Sequence, residues 1–399
     1  MTGRRLRIAQ IVTRMDVGGV PDHVMTLARE LSQRHDMTVV AGEFNPGHAA
    51  ELASLGVERI ELPLARLPDP LKDLRAMRAL RALLKDKRFD VAHTHMSKAA
   101  LLGVLAARTL VRRPLLVNTA HNLGSLALSH RAARSVFRVY DRVLLGRATD
   151  AVIVVSDRIR AQVLALGLVR PDRVTAIPNG IALHRFEVPA ARAAAVRSAF
   201  DIGAKEVLVV CVARLVWFKG LDTLIDAFAL LPAELPAELP ADLPAMRLLI
   251  VGAGPLHGDL ADRAAALGQG GRITFAGERG DVPDILAAAD VFVLSSVSEG
   301  MPISIIEAMA SGLPTVATDV GGVRELVADG ETGFVVPARD AAAFAVPLEQ
   351  LCRDPALRRT LGQAARQRAQ AQFGGAAMAA RTEEVYARAL ARAQKAGPE

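Results

Sequence analysis

Cysteine is nearly absent. The two thiols in 399 residues, Cys211 and Cys352, are far apart in the chain and make neither a disulfide framework nor a zinc site, so a reducing compartment is expected. Aromatic residues are scarce, at 4% with one Trp, which leaves few platforms for stacking nucleic-acid bases. No apolar run approaches the roughly 18–20 residues that span a bilayer. Arg4, Arg5 and Arg7 lead straight into Ile8-Ala9-Gln10-Ile11-Val12, which is too short and too polar for a signal peptide and reads as a first strand. No G-x4-G-K-[ST] occurs, which argues against a P-loop nucleotidase.

What is present fits a globular protein of two domains. The chain is longer than one hydrophobic core comfortably serves. A hydrophobic content of 51% is inconsistent with disorder. Charge is unevenly spread: residues 1–180 hold 28 Lys and Arg against 16 Asp and Glu, the remainder 21 against 26. The basic half suits an anionic partner such as a membrane surface, a lipid phosphate or nucleic acid.

Apolar runs and helical periodicities alternate through the first half. Strands are predicted at Met37–Ala41, Glu58–Leu62, Phe89–His95, Leu115–Asn122, Ala151–Ser156 and Val174–Ile177. Helices are predicted at Pro70–Lys87, with Leu71, Leu74, Met77, Leu80 and Leu84 inward, and at Ala99–Leu110. This alternation argues for a doubly wound parallel sheet. Ligands of such sheets bind at the carboxyl ends of strands. His95 and His121 fall there, as does Gly18-Gly19, a turn entering a helix where a ligand can approach the backbone closely. The two histidines could mimic a metal pair, but no cysteine or supporting pattern accompanies them, so no metal is expected. A helix over Ser129–Gly146 carries Arg131, Arg134, Arg138 and Arg142 on one face, either a solvated surface or a contact with anionic lipid. The stretch from His184 to Gly203 has little clear periodicity until an Ala-rich helix, and the interdomain linker is placed there.

The second half opens with a buried strand, Val207–Ala213, followed by Arg214 and, just before a helix, Lys219-Gly220. Two cations converging on a helix N-terminus suit a diphosphate. Residues 231–245 read LPAE-LPAE-LPAD-LPA. Proline at every fourth position excludes a regular helix, leaving a surface loop expansion. The near-fingerprint Gly252-Ala253-Gly254-Pro255 is a loop at the nucleotide end. Then comes Asp290–Leu294, a strand, followed by Glu299-Gly300-Met301-Pro302-Ile303, a tight turn into a helix that carries Glu307 two turns on. The free N–H groups of the turn formed by Gly300, Met301, Pro302 and Ile303, of which Pro302 itself has none, attract phosphate, and a carboxylate suits a vicinal diol.

The spacing E-G-x-P followed by E-A-M-A-x-G, with seven residues between the acids, resembles the E-x7-E motif of retaining glycosyltransferases of family 4. With Arg-x4-Lys-Gly after a strand, the resemblance runs from about Arg7 to about Val336. It implies an α/β GT-B fold of two Rossmann-like domains facing a cleft: 1–185 on the acceptor side, joined by a final helix over 376–395, and 186–375 on the donor side. It implies transfer of a sugar from a UDP- or GDP-linked donor to a glycan or lipid-linked acceptor. Gly18, Gly19, Arg214, Lys219 and the turn Gly300–Ile303 would hold the diphosphate, and Glu307 the ribose. Gly277 and Glu278 would meet the base. His121 and Glu299 would act at the donor sugar, with His95 on the acceptor side. No cofactor is implied, and the lack of any D-x-D is consistent with a metal-independent site. Cytoplasmic placement, peripheral at the inner membrane face, follows from lipid-linked acceptors. Competing readings are a sugar-nucleotide sensor or scaffold, which would usually lose these charged residues, and a GT-B epimerase or phosphorylase, the latter lacking its cofactor lysine pattern.

Overall fold

The structure, a computed structural model, describes residues 4–16, 18–65, 69–122, 141–232 and 245–396. The chain divides into two compact units, Met1–Gly180 with Gly375–Glu399, and Ile181–Gly374.

The first unit is built on strands β1 (Arg7–Ile11), β2 (Asp36–Ala41), β3 (Glu58–Glu61), β4 (Val91–His95), β5 (Leu115–Ala120), β6 (Ala151–Val154) and β7 (Val174–Ala176). They pair in the order β3-β2-β1-β4-β5-β6-β7, every pair parallel. Its helices are α1 (Gly19–Leu31), α2 (Pro46–Ser54), α3 (Pro70–Lys87), α4 (Met96–Arg108) and α5 (Asp157–Ala165). The central strands are buried because both sheet faces are covered there, while the edge strand β3, Glu-Arg-Ile-Glu, is largely exposed. Ile8, Val39, Val91 and Val117 join one core with Val24, Leu27 and Leu31 of α1. Their neighbours Ala9, Val40, Ala92 and Leu116 join the opposite core with Leu80 and Leu84 of α3 and Leu102 of α4.

Helix α3 spans the expected residues. The Asp69 side chain accepts from the Lys72 amide at 3.0 Å, Pro70 occupies the first turn, and Arg88 ends the helix in the left-handed region at φ 50°. Its inner face differs from expectation. Ala76, Leu80 and Leu84 are buried, whereas Leu71 and Leu74 are exposed, because the first turn runs past the core that the later turns cover.

The second unit contains β8 (Val207–Val212), β9 (Met246–Val251), β10 (Ile273–Gly277), β11 (Val291–Leu294), β12 (Thr315–Thr318) and β13 (Gly333–Val336). Their order is β10-β9-β8-β11-β12-β13, again all parallel. Its helices are α6 (Ala190–Ala199), α7 (Leu221–Ala229), α8 (His257–Ala266), α9 (Val282–Ala288), α10 (Ile303–Ala310), α11 (Val323–Leu326), α12 (Ala341–Arg353) and α13 (Pro355–Gln372). Where a linker is expected, at 184–203, the chain instead packs. A 3-10 turn at Leu183–Phe186 leads to α6, and Arg197 of α6 donates to the carbonyls of Ala288, Gly203 and Glu206. The Ala-rich helix expected in this stretch is α6, but its composition marks no packing face, so its anchoring to the unit was not legible. The chain enters and leaves this unit side by side, Ile181 N donating to Phe373 O at 3.0 Å.

The last helix, α14 (Gly375–Ala396), belongs to the first unit. Met378, Ala379, Val385, Tyr386 and Ala389 enter the same core as Ile8 and Val24. At roughly 1.5–3 kcal/mol per large buried apolar side chain, this face holds the chain's end against the sheet. Both sheets change their direction of strand addition once, between β1 and β4 and between β8 and β11. In such sheets the loops leaving the carboxyl ends there part and leave room for a ligand.

Candidate active site

In the second unit, Arg214 and Lys219 follow β8. Their loop is laced to its neighbour by Ala213 N donating to Val251 O at 2.9 Å and Leu215 N to Ala253 O at 3.0 Å. Trp217–Lys219 make one 3-10 turn, and Gly220, at φ 59°, starts α7. A Cβ on Gly220 would sit 2.3 Å from Ser295 O, so only glycine lets this loop press against the end of β11. The Ser295 hydroxyl donates to Lys219 O at 3.1 Å, and Val297 N donates to Phe218 O at 2.8 Å.

That registration brings Lys219 Nζ to 2.5 Å from Glu299 Oε1, and the Ser296 hydroxyl donates to the same oxygen at 2.6 Å. The two side chains are only 14% and 10% exposed. The Arg214 guanidinium carbon lies 5.6 Å from the centre of the Phe218 ring, and Lys219 Nζ 6.0 Å from it. One phenyl ring thus carries two cations beside one carboxylate.

Glu299 is held from behind. Gly322 N donates to Gly300 O at 2.6 Å, and Thr318 donates its hydroxyl proton to Ser296 O. Met301 and Ile303 are buried. Helix α10 starts at Ile303 behind its N-cap Pro302, whose side chain makes no capping hydrogen bond. Glu307 is half-buried within it. Gly277, at φ 69°, closes β10, and its carbonyl accepts from Gly252 N at 2.8 Å; Glu278 is exposed. Every second-unit residue singled out in the sequence therefore stands at the carboxyl edge of this sheet or on the helix that leaves it.

The first unit gathers histidines at its own carboxyl edge. Gly18 caps α1 at φ 142°, and a Cβ there would meet nothing within 4 Å, so the space over this turn is open. Gly19 begins the helix, and one turn on, its His23 is buried, with Nδ1 3.0 Å from Asn179 Oδ1. His95, at the end of β4, is wholly buried: Nε2 is 2.7 Å from Gln10 Oε1 and Nδ1 is 3.1 Å from His121 Nε2. His121 follows β5 by one residue. Beneath them, His93 contacts the Tyr386 hydroxyl at 2.6 Å and Thr119 Oγ1 at 2.7 Å, and Gln10 Nε2 donates to Tyr386 at 3.3 Å.

Burial, and then the neighbouring rings, hold His93, His95 and His121 well below the usual imidazole range. Burial lowers His23 to about 4, against the opposing pull of Asn179. Burial also pushes the Tyr386 phenol up. The rings are therefore neutral at pH 7, and each has one N–H and one lone pair. Among the described residues, the hydrogen bonds of His95 go to Gln10 and His121, and its ring packs against His23 and His93. Arg131, Arg134 and Arg138 lie outside the described residues; Arg142 is exposed at the start of a short π-helical turn, Arg142–Ala148.

Sequence reasoning had not singled out His23, His93, Gln10, Tyr386, Ser296 or Gly321. His23 had a legible signal, since it stands one turn after the Gly18-Gly19 entry on a helix leaving the switch point. Tyr386 had none.

Two family models match the chain: Glycosyltransferase Family 4 over residues 17–185 and Glycosyl transferases group 1 over residues 194–368. A GDP-mannose-dependent alpha-(1-6)-phosphatidylinositol monomannoside mannosyltransferase of Mycobacterium tuberculosis is 30% identical over 91% of this chain and 93% of its own length. The chain belongs to the family 4 glycosyltransferases. As an enzyme of that family it transfers sugars, and the sensor, scaffold and phosphorylase readings give way. A second relative of this glycosyltransferase is the UDP-Gal:alpha-D-GlcNAc-diphosphoundecaprenol alpha-1,3-galactosyltransferase of Escherichia coli, 28% identical over 72% of each chain. Among solved structures, Anabaena HepE in complex with UDP-glucose superposes with a TM-score of 0.81 at 21% identity, covering 96% of this chain and all of that one. The α/β architecture of the glycosyltransferase is thus the GT-B fold. Among the described residues, no helix is long and apolar enough to cross a membrane.

Proposed function

We propose that this glycosyltransferase takes its sugar from a nucleoside-diphosphate donor and delivers it, with retention and without a metal, to a lipid-linked or glycan acceptor of cell-surface polysaccharide or glycoconjugate synthesis. The observation that carries the reading is the contact of Lys219 with Glu299 at the switch point of the second sheet. Breaking the bond from the anomeric carbon to the β-phosphate oxygen puts negative charge on the diphosphate. Fixed cations and amide dipoles aimed there lower the barrier. Lys219 has three donors and gives one to Glu299, so two remain for phosphate oxygens. Arg214 and the first amides of α10 add to them. Glu299 Oε1 takes Lys219 and Ser296, leaving Oε2 to accept hydroxyls of the donor sugar and orient its anomeric carbon. Glu307 takes the ribose, the Gly277-Glu278 turn the base, Gly18 and Gly19 the diphosphate from the first unit, and His121 the sugar.

The two curated relatives are named for GDP- and UDP-linked donors and for lipid acceptors, which supports a nucleotide-sugar donor and a lipid-linked acceptor. The test is incubation with radiolabelled UDP-glucose, UDP-GlcNAc and GDP-mannose, with acceptor supplied in membrane extract. One donor is expected to be consumed, and to be spared in Glu307→Ala and Lys219→Ala. Binding of a donor without turnover of any would contradict the reading. In the same extracts, Arg131, Arg134 and Arg138 changed together to alanine are expected to weaken sedimentation with phosphatidylglycerol vesicles; unchanged sedimentation removes that stripe as the membrane contact.

A further inference from the structure

His23, His95 and His121 offer one ring nitrogen each, all within 4.8 Å of one another. The three rings meet at centroid distances of 4.7 to 5.4 Å. Their hydrogen bonds fix where the lone pairs are. The Asn179 carbonyl oxygen can only accept, so His23 carries its proton on Nδ1 and its lone pair on Nε2. That Nε2 is buried and has no hydrogen-bond partner among the described residues. The Gln10 carbonyl oxygen does the same for His95, placing its proton on Nε2 and its lone pair on Nδ1. His121 Nε2 has one proton to donate and gives it to His95. Two lone pairs thus face one N–H, and an electron-rich nitrogen is left over in the interior. Leaving a buried acceptor without a donor is unfavourable, and a bound cation would relieve it.

We infer that this cluster is a binding site for a first-row transition metal of the zinc class, with His23 Nε2, His95 Nδ1 and His121 Nε2 as ligands. Imidazole is a preferred donor for zinc, cobalt, nickel and copper. Amide oxygens on the far nitrogens of His23 and His95 are the kind of outer partner that orients metal-bound histidines. The His95–His121 separation of 3.1 Å is close to the edge of roughly 3.3 Å expected for a tetrahedron with bonds of 2.0–2.1 Å. Binding requires His121 to shift its proton from Nε2 to Nδ1, with no net proton released. A ring that ligates a metal cannot also serve the donor sugar, so occupancy would silence transfer. That last consequence rests on the role proposed for His121; the site itself does not.

The experiment uses the full chain, tag-free and stripped with a chelator, titrated with Co2+. Visible d–d bands should saturate at one Co2+ per chain and be displaced by Zn2+. His23→Ala and His95→Ala should abolish them, while His257→Ala, in the second unit, should leave them unchanged. Asn179→Ala keeps all three rings and should weaken Co2+ binding about 10–100-fold, which covers the case in which a histidine variant does not fold. Absence of bands in the wild-type chain, or bands that persist in His23→Ala, overturns the inference. A distinct outcome, metal bound with turnover unaffected, would leave the site standing and count against His121 as the sugar-side residue.

Discussion

Lys219→Ala is expected to cut kcat by about two to three orders of magnitude, the loss typical when one fixed donor to a developing oxyanion is removed. Lys219 does not act alone. Its ammonium is bound to Glu299, and both side chains are largely out of water. Alanine at 219 therefore removes a phosphate contact and also leaves a carboxylate facing the incoming diphosphate. Glu299→Gln should split the two effects. With its counter-charge gone, Lys219 attracts phosphate more strongly, so nucleoside-diphosphate product should bind more tightly. Turnover should still fall, because the oxygen that orients the sugar has become an amide. The double variant should lose much less than the sum of the single losses, since groups acting as a unit are not additive. Steady-state kinetics with product-inhibition constants for the three variants test this. Additive losses, or weaker product binding in Glu299→Gln, would mean the pair is a surface ion pair unconnected with the donor.

Gly321→Ala should strongly damage both the stability and the turnover of the second unit. Gly321 is at φ +52°, and a Cβ there would stand 2.2 Å from Glu299 O and 2.7 Å from Gly300 O. The left-handed backbone costs alanine roughly 1–2 kcal/mol, and forcing the two loops apart adds about 1–3 kcal/mol. For a unit of this size the sum corresponds to a fall in Tm of about 5–15 °C. Gly330 supplies the control. It has φ +77° and nothing within 4 Å of its Cβ position, so Gly330→Ala should show the backbone cost alone. The functional consequence is separable from stability. The clash falls on the carbonyl of Glu299 itself, and a displacement of about 1 Å at a reacting group can cost 10²-fold. Well below its Tm, Gly321→Ala should therefore keep its fold and lose turnover, while Gly330→Ala keeps both. Equal Tm values for the two variants would show that the β12 loop does not brace Glu299.

These two predictions mark what could be read from sequence and what could not. Arg214, Lys219, Glu299 and Glu307 were legible because each lies in a local strand–turn–helix segment, where a buried apolar run, a glycine and a helical period fix a residue's place within a few positions. Gly321 is half of a Gly-Gly pair, which locally marks a turn and nothing more. Its meaning depends on the Glu299 carbonyl of a second loop lying 2.2 Å from where a Cβ would stand, which no local pattern encodes. The histidine cluster shows the same limit at longer range. His95 and His121 end apolar strands and announce themselves, but the Tyr386 hydroxyl that meets His93 comes from a residue 293 positions away. Composition misled in two places. Leu71 and Leu74 satisfied the helical period of α3 yet are exposed, because periodicity gives a face and not the length of the core beneath it. Alanine-rich α6 reads as a helix, but its composition marks no packing face, so the stretch that holds it reads as a linker.

The central claim is that Arg214 and Lys219 exist to bind a diphosphate. Calorimetric titration of the wild-type chain, Arg214→Ala and Lys219→Ala with UDP and GDP, and with the bare nucleosides, tests it most directly. A charged hydrogen bond is worth about 1.5–3 kcal/mol, so each variant should bind the preferred diphosphate at least about tenfold more weakly. Its affinity for the nucleoside should not change. If both variants bind the diphosphate as tightly as the wild-type chain, the cations beside Glu299 serve some other purpose and the assignment of this edge of the sheet to the donor is wrong.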